Sequence, residues 1–440
     1  MPAAAAGVWG QRPHLNRKEQ HMNIKLAVIL ILVAMQLFDF FLKYLNYRNR
    51  HAPVPESVKD IFDPETYTKR SAYEMEHVRL SIVSGLVSLS FTIAILAFNI
   101  HSGLFDFIGR HTGNMYLQVY FMFAVIWLIG LPINAIFDAI GTFKIEAKYG
   151  FNKSSVGTFL GDILKSAIVE GVIFNLGLLS LFLLLHNLLG NGVFIAFIFV
   201  AAAIVVALLF LSPLLIRVFN KLTPLEDGPL KDRVMALSRE ADFPIKRIFV
   251  VDGSKRTTKS NAFLTGFGKS RTVGLYDNLI KDFTEDEVMF VLAHEIGHNK
   301  KKHVRRRIPL IFLNFMPILT LAFFVVNWEA ISLAFGFYEL NVAFGLFIGM
   351  ILSGPFLMLL QWPSNALSRI HEYEADAYGV KFTGVEPGIS SMKKLGQLNF
   401  SNLTPHPFVV RVGYSHPPLC QRIAAMEGLG MKDPGALPQA

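Results

Sequence analysis

The chain has 440 residues, of which 52% are hydrophobic and only 17% are charged. Its mean hydropathy of +0.42 excludes an ordinary soluble protein and predicts a multi-pass membrane protein. The formal net charge is +9, but the basic residues cluster beside apolar segments, where membrane anchoring explains them, so we expect no nucleic-acid partner. Cys420 is the only cysteine, so any metal site must use His, Asp or Glu.

Long apolar segments predict the membrane helices. A bilayer core about 30 Å thick is crossed by about 20 helical residues. Seven segments have that length and composition, and they predict a mainly α-helical protein with five transmembrane helices in residues 1–215 and two more in residues 308–364. The predicted spans are residues 24–45, 80–100, 116–136, 167–185, 193–215, 308–326 and 342–362. The first has no small-residue cleavage site behind it, so we interpret it as a retained helix and not as a signal peptide.

Basic residues near the ends of the spans predict the orientation. Six lysines and arginines lie in residues 46–79 and four in residues 137–166, whereas residues 186–192 and 327–341 contain none. The positive-inside rule therefore places the charged loops, residues 216–307 and the carboxyl-terminal segment 365–440 in the cytoplasm. The amino terminus, which is also basic, is then placed outside, and this conflicts with the same rule.

Four polar residues within or beside the predicted spans are candidates for the wall of an internal cavity, because such side chains normally face a cavity or each other and not lipid. Two of them, Asp39 and Asp138, lie close to span ends, so we expect simple exposure at the membrane interface there. The other two candidates are Glu170 and Asn175.

Residues 216–307 have the character of a soluble domain. The stretch "DGPLKDRVMALSREADF" has helical periodicity, whereas "RIFVVDG" and "TVGLYDNLI" are typical of short strands, so a small α+β domain is predicted. Thr284 followed by Glu287 forms a capping box, which predicts a helix that begins at about Glu285.

That helix carries the motif "VLAHEIGHNKKKHVRRR" from Val291. His294 and His298 are one helical turn apart and share a face, and Glu295 projects beside them. In this HExxH arrangement, two neutral imidazoles bind Zn²⁺ and the carboxylate acts as a general base. The competing interpretation is a pair of structural or solvated histidines, and a third metal ligand is needed to decide.

The stretch "SNALSRIHEYEADAYGVKF", after the seventh predicted span, offers candidates for that ligand. It predicts a polar helix on the same cytoplasmic side, with His371 among its residues. Glu372 and Asp376 are four residues apart and share a face, while Glu374 is predicted to point elsewhere. One carboxylate could bind the metal and the other could orient a ligand histidine. A solvated acidic helix is the alternative.

These two motifs together resemble the type I CAAX prenyl endopeptidase family, which comprises integral-membrane HExxH zinc metalloproteases. Four further segments resemble the family in the same order, and the resemblance extends over about residues 131–426. They are "FKIEAKYGFNKSS", "FNKLTPLEDGPL", "KRTTKSNAFLTGFGKSRTVGLYDNLI" and "YSHPP". The resemblance implies about seven helices around a water-filled chamber, with the protease domain on the cytoplasmic side.

The resemblance also implies a role for each site residue. One Zn²⁺ per chain would be bound by His294, His298 and Glu372, with Asp376 behind this last ligand. Glu295 would be the general base. Other segments matched to the family supply the remaining candidates.

In those segments, His416 would stabilise the oxyanion, Asn261 would hydrogen-bond the backbone of a substrate laid beside the sheet, and Arg369 would form a salt bridge or contact substrate. From the residues alone, a turn residue for Asn261 and a loop histidine for His416 remain open.

A family member of this kind would cut the bond after a prenylated cysteine near the carboxyl end of a protein or peptide. Two alternatives stay open: a broad-specificity quality-control protease for membrane proteins, and a non-enzymatic transporter or channel. The chain shows no internal repeat and no paired broken helices of the transporter kind. The carboxyl terminus carries no clear retrieval signal, which favours a bacterial inner membrane, with the endoplasmic reticulum membrane as the location if the source is eukaryotic.

Overall fold

The computed structural model describes residues 13–266 and 271–430. Three stretches lie outside the described residues: 1–12 of the predicted membrane region, 267–270 of the predicted metalloprotease segment and 431–440 of the carboxyl-terminal segment. The amino-terminal half is helical throughout. Its helices are α1 (Pro13–Asn49), α2 (Pro64–Ala97), α3 (Ile100–Gly109), α4 (Met115–Ala139), α5 (Val156–Ser166), α6 (Gly177–Leu189) and α7 (Val193–Phe219), with π-helical segments at Ile140–Glu146 and Ala167–Leu176.

Asparagine, aspartate and serine caps set the starts of several of these helices. Asp63 accepts a hydrogen bond from the Thr66 N–H at the start of α2, and Ser155 accepts one from the Thr158 N–H at the start of α5. Asn114 caps α4 in the same way. Because each cap satisfies an otherwise unpaired backbone donor, the helices begin where the sequence supplies an acceptor.

Six stretches of the described chain are long and apolar enough to cross a membrane. One of them, Gly177–Ile204, runs across the 3₁₀ turn at Gly190–Gly192. The rings of Phe182 and Phe197 lie 5.4 Å apart, whereas fifteen residues of straight helix would separate them by about 22 Å. The chain therefore reverses at this turn, and α6 and α7 are two helices, as the sequence predicted.

The carboxyl-terminal half contains nine helices in the part of the chain that the structure describes. They are α8 (Pro229–Glu240), α9 (Asp277–Asp282), α10 (Glu285–Lys300), α11 (His303–Val326), α12 (Glu329–Ala334), α13 (Val342–Thr383), α14 (Val385–Leu398), α15 (Pro407–Gly413) and α16 (Leu419–Gly430). The longest, α13, has 42 residues and so extends about 60 Å. It contains both the seventh predicted span and the polar stretch that offers candidates for the third ligand, so one continuous helix connects the two.

The domain boundaries predicted from the sequence fall inside helices. The boundary at residues 215 and 216 lies in α7, that at 307 and 308 lies in α11, and that at 364 and 365 lies in α13. The predicted membrane region and the predicted metalloprotease segment therefore share continuous helices and are not joined by flexible linkers.

A four-stranded sheet lies between α7 and α10 in sequence. Its strands are β1 (Leu222–Pro224), β2 (Arg247–Val251), β3 (Ala262–Thr265) and β4 (Thr272–Tyr276), in the order β1-β2-β4-β3. The pair β2 and β4 is parallel and the other two pairs are antiparallel. The predicted strand "TVGLYDNLI" ends at Tyr276, because Asp277 begins the short helix α9. The sequence analysis missed β1 and β3, which have only three and four residues.

The sheet packs against α8 and α10 through a common hydrophobic core. Val273 and Leu275 of β4 belong to the same buried cluster as Val288, Leu292 and Ile296 of α10. This core holds the helix of the HExxH motif at a defined distance from the sheet.

A polar cavity of about 800 Å³ lies among α1, α2, α4, α5 and the π-helical segment after α5. Asp39, Asp138 and Glu170 all line it. The expectation that Asp39 and Asp138 are exposed at the membrane interface stays a prediction, and both side chains also line this cavity. The side chain of the fourth candidate, Asn175, lies outside the described residues.

Candidate metal centre

The HExxH helix, α10, begins at the predicted capping box. The Glu287 N–H donates to Thr284 Oγ1 at 3.3 Å, and the Thr284 N–H donates to Glu287 Oε2 at 2.8 Å. This cap fixes the register of the helix, which brings His294 Nε2 and His298 Nε2 to within 3.1 Å of each other. The two histidines thus share one face, as the spacing predicted.

Gly297, between the two histidines, allows α10 and α13 to pack closely. A Cβ atom at this position would lie 2.9 Å from the Cβ of Tyr378 and 3.2 Å from the Cα of Ala375. Contacts this short are hardly ever found, so only glycine fits without a shift of one helix. The close packing brings the carboxylates of α13 to the histidines.

Glu372 on α13 completes a group of three potential metal ligands. One ligand atom from each of His294, His298 and Glu372 lies within 4.8 Å of the others. Glu372 Oε2 is 3.7 Å from His294 Nε2, and Glu372 Oε1 is 3.4 Å from His298 Nε2. Glu372 Oε2 is buried, and no contact gives it regular hydrogen-bond geometry. Two imidazole nitrogens and a buried carboxylate that converge in this way fit a metal ion.

Asp376, one turn along α13, contacts the other nitrogen of a candidate ligand histidine. His294 Nδ1 lies 2.9 Å from Asp376 Oδ1. An anion at this position holds the imidazole in the tautomer that leaves Nε2 available for a metal. The structure therefore brings Asp376 to the place that its predicted role requires.

Arg422 of α16, which the sequence analysis missed, connects the two carboxylates. It donates from Nε to Asp376 Oδ2 at 2.8 Å and from Nη2 to Asp376 Oδ1 at 2.6 Å, and its Nη1 is 3.3 Å from Glu372 Oε2. Burial lowers the pKa of Arg422, but Asp376 and Glu372 raise it by more, so the net pKa is above its usual value. The only signal in the sequence was an arginine on the otherwise apolar face of α16.

His416 lies in the loop between α15 and α16, beside the metal ligands. Its Nδ1 is 2.9 Å from Glu372 Oε2, and its side chain is 66% exposed. Arg369 of α13 holds the start of this loop, because its Nη1 donates to the carbonyl oxygens of Val410 at 3.1 Å and Tyr414 at 2.8 Å. The structure thus gives Arg369 a contact to backbone and brings His416 to the cluster.

A cavity of about 200 Å³ opens beside the ligands. Its lining includes Glu295, His298 and Glu372, together with Leu264 of β3. The strand β3 lies at the edge of the sheet, and Asn261 stands exposed just before it, with Oδ1 accepting a hydrogen bond from the Ala262 N–H at 2.9 Å. The predicted base and a sheet edge therefore face the same space.

Comparisons with known proteins agree with this geometry. The family model described as "CAAX prenyl protease N-terminal, five membrane helices" matches residues 43–221, and that of peptidase family M48 matches residues 224–429. Together they cover the helices from α2 onward and the candidate metal centre. The two models meet near the predicted boundary between the membrane region and the protease segment.

Curated relatives match almost the whole chain. A CAAX prenyl protease 1 homolog of Oryza sativa is 29% identical over 92% of this chain and 98% of the relative. CAAX prenyl protease 1 of Saccharomyces cerevisiae is 27% identical over 94% of this chain and 97% of its own. The crystal structure of S. mikatae Ste24p superposes with a TM-score of 0.86 at 26% identity, over 92% of this chain and 99% of that one. The chain therefore belongs to the type I CAAX prenyl endopeptidase family of integral-membrane metalloendopeptidases.

Proposed function

We propose that this protein is a zinc endopeptidase that cleaves prenylated proteins or peptides near their carboxyl termini, with its active site facing the cytoplasm. One observation carries the proposal: the ligand atoms of His294, His298 and Glu372 converge beside a cavity that Glu295 also lines. Two histidines with a purely structural role would not be expected to lie this close to a buried carboxylate from another helix.

The donor set fits zinc better than the other common metals. Two imidazoles and one carboxylate are the protein ligands of many catalytic zinc sites, whereas Mg²⁺ and Ca²⁺ prefer oxygen ligands. When bound, zinc would lower the pKa of a water molecule and polarise the substrate carbonyl. His294, His298 and Glu372 would hold it, and Asp376 and Arg422 would keep His294 and Glu372 in place.

Glu295 is the proposed general base. Its carboxylate would accept a proton from the attacking water and later donate it to the departing amine. The neighbouring residues of α10 are buried, so the helix is rigid at this point and the carboxylate is held toward the cavity.

The edge strand β3 is the proposed binding place for the substrate backbone. An extended peptide laid along β3 would pass Leu264, which lines the same cavity as Glu295. Asn261, exposed at the start of the strand, would donate from its amide to the substrate backbone. Arg369 would act at the other side of the site, either on the substrate or through the loop that it holds.

His416 is the proposed partner of the oxyanion. It is exposed and lies 2.9 Å from Glu372 Oε2, so its ring could donate an N–H to a substrate carbonyl oxygen beside the candidate ligands. The His416→Ala variant should lose about 10²–10³-fold in kcat while it retains zinc. A variant that loses zinc instead would assign His416 to metal binding.

The proposed substrate and membrane orientation have support of their own. The relatives are named CAAX prenyl proteases, and an apolar isoprenyl chain on a polar peptide suits a catalytic site that is continuous with membrane helices. Three lysines and three arginines lie within residues 300–307, where α10 gives way to α11, and this favours the cytoplasmic side. The bacterial inner membrane stays a prediction that these relatives do not test.

Replacement of the base tests the reaction. Glu295→Gln should reduce kcat on peptides by about 10²–10⁴-fold, with zinc content unchanged. The matched control is Glu285→Gln, which removes a more exposed carboxylate from the first turn of the same helix. A Glu295→Gln protein with full activity would contradict the mechanism and would favour the transporter or channel alternative.

Substrate choice needs a separate measurement. We expect purified enzyme to cleave a farnesylated peptide after the modified cysteine and to cleave the matched unprenylated peptide much more slowly. Equal turnover of both peptides, with cuts at many positions, would instead support the broad-specificity quality-control protease.

A further inference from the structure

A second chain of polar contacts reaches the metal centre on the side away from Asp376. His298 Nδ1 lies 2.9 Å from His303 Nδ1, and His303 Nε2 lies 2.8 Å from Glu374 Oε2. Arg306 Nη1 in turn donates to the same oxygen of Glu374 at 2.5 Å. The chain therefore runs from a metal ligand through a second histidine to a carboxylate, and it ends at a cation.

The turn between α10 and α11 brings His303 back to the metal centre. Lys302 has a positive φ of 58°, which is uncommon for a residue other than glycine, and His303 is the first residue of α11. The His303 side chain is 3% exposed. Its ring stacks on that of His371, with the centroids 4.0 Å apart and an interplanar angle of 5°. This parallel stacking, together with two hydrogen bonds, leaves the ring little freedom to rotate.

The hydrogen bonds in this chain can run in only one direction if His298 binds a metal. A ligand imidazole must be neutral with a free Nε2, so its proton is on Nδ1. His303 must then accept at Nδ1, carry its own proton on Nε2 and donate it to Glu374. The carboxylate accepts, and Arg306 balances its charge. Each polar atom in this series of hydrogen bonds is thus a donor or an acceptor as its chemistry permits.

We propose that His303 and Glu374 are positioning residues that hold His298 in its metal-binding tautomer and orientation. The inference rests on the proposed metal site and deepens it. Glu374 was predicted from its helical position to point away from the ligands, and it does lie outside the group of three. It acts on that group through His303.

The proposal gives the two ligand histidines supports of different kinds. His294 donates directly to Asp376, whereas His298 reaches an anion only through His303. Because a neutral ring lies between the carboxylate and the ligand, Glu374 should raise the basicity of its histidine less than Asp376 does. The His303 ring itself should matter more, because its removal leaves the half-buried His298 Nδ1–H without a protein acceptor.

Zinc affinity of the full-length protein in detergent tests this role. The variants are His303→Phe, which keeps a ring to stack on His371, and Glu374→Gln. The control is Glu386→Gln, at an exposed position of α14. Competition with a chelator should show zinc binding weakened by about 10–100-fold in His303→Phe. We expect a loss of about threefold to tenfold in Glu374→Gln and no change in the control. The visible spectrum of the Co²⁺-substituted protein should shift in both variants.

A double-mutant cycle separates this mechanism from a general structural role. The double variant His303→Phe/Glu374→Gln should bind zinc no more weakly than His303→Phe alone, since both residues act through the same series of hydrogen bonds. Glu374→Gln combined with Asp376→Asn should multiply the two losses, since these act on different histidines. The unfolding temperature of each metal-free variant shows whether it is folded. If His303→Phe is not folded, the zinc affinity of Glu374→Gln tests the proposal.

Wild-type zinc affinity and an unchanged Co²⁺ spectrum in folded Glu374→Gln and His303→Phe would overturn the inference. So would full additivity of the two. Failure of the proposed function has a different signature, because Glu295→Gln would then keep its peptidase activity. That variant leaves every ligand and the His303 chain intact, so its activity does not bear on their zinc affinities.

Discussion

The candidate metal centre and the cavity of about 800 Å³, here called the chamber, both contain several carboxylates. The two regions surround these carboxylates differently. At the metal centre the side chains of Glu372 and Asp376 are only 6% and 2% exposed, and Arg422 pairs with both. In the chamber the side chain of Asp39 is 47% exposed and pairs with Lys43 of its own helix. Asp138 and Glu170, on the same wall, are exposed to the cavity space.

This difference shows that polar residues inside a membrane protein need not share one kind of function. Buried groups that contact one another from α10, α13 and α16 depend on exact spacing, because an unpaired buried charge is costly. Groups that face an open cavity can be replaced individually at little cost, because a polar group that is not buried needs no protein partner. Substitutions at the two regions should therefore differ in magnitude.

The largest effect is expected from loss of the third ligand. Glu372→Ala removes a metal-binding oxygen and leaves Arg422 with one carboxylate fewer. Loss of a residue that only supports a ligand typically lowers metal affinity by up to about 100-fold. Zinc affinity should fall by more than this in Glu372→Ala, and activity should be lost in parallel. Zinc content per chain, measured by mass spectrometry beside Glu386→Ala, checks this. Retention of one zinc per chain in Glu372→Ala would contradict the ligand assignment.

Removal of the buried cation should come next. Arg422→Met leaves Asp376 and Glu372 buried without their arginine, and breaking a buried pair costs about 3–5 kcal/mol of folding free energy. Thermal unfolding of the variant should reveal the loss, whereas Arg411→Met, at an exposed position of α15, should be close to wild type. Equal unfolding temperatures for the two variants would refute the role of Arg422.

The close helix packing at Gly297 gives a third prediction. Gly297→Ala introduces a methyl group 2.9 Å from the Tyr378 Cβ, so the helices must shift at a cost of about 1–3 kcal/mol. Unfolding temperature and zinc affinity should both decrease. The control Gly428→Ala lies on α16 with no atom within 4 Å of the new carbon, and it should be neutral or slightly stabilising. A neutral Gly297→Ala would mean that α10 and α13 are not held at this spacing.

Arg369 distinguishes a substrate contact from a positioning role. If it only holds the loop of His416, Arg369→Gln should lower kcat several-fold, on the order of 1 kcal/mol in barrier height, with little change in KM. A contact to substrate would instead raise KM. Steady-state kinetics on one prenylated peptide separates the two, and zinc content should be unchanged in either case.

The smallest effects are expected in the chamber. Asp138→Asn and Glu170→Gln should change the folding free energy by no more than about 0.5 kcal/mol, and zinc affinity should match wild type. The same unfolding and chelator-competition measurements check both variants. A loss comparable to that of Arg422→Met would remove the distinction between the two regions.

Residue spacing alone was enough to predict the local features of this protein. The capping box, the shared face of His294 and His298 and the long apolar spans all depend on residues within one helix, whose geometry is constant. For the same reason, the four-residue spacing of Glu372 and Asp376 correctly predicted that both face one side of their helix. The family resemblance then supplied Glu372 as the proposed ligand, which spacing had left open.

Contacts between distant segments were decided only by the tertiary structure. Arg422 reaches Asp376 from α16, and His303 reaches Glu374 across the packed faces of α11 and α13. The short strands β1 and β3 were also missed, because three or four residues carry too little periodicity to be recognised. Helical periodicity states which way a side chain points but not what it meets. What a side chain meets depends on how α10, α13 and α16 pack. The same packing decides which residues hold the candidate metal ligands in place.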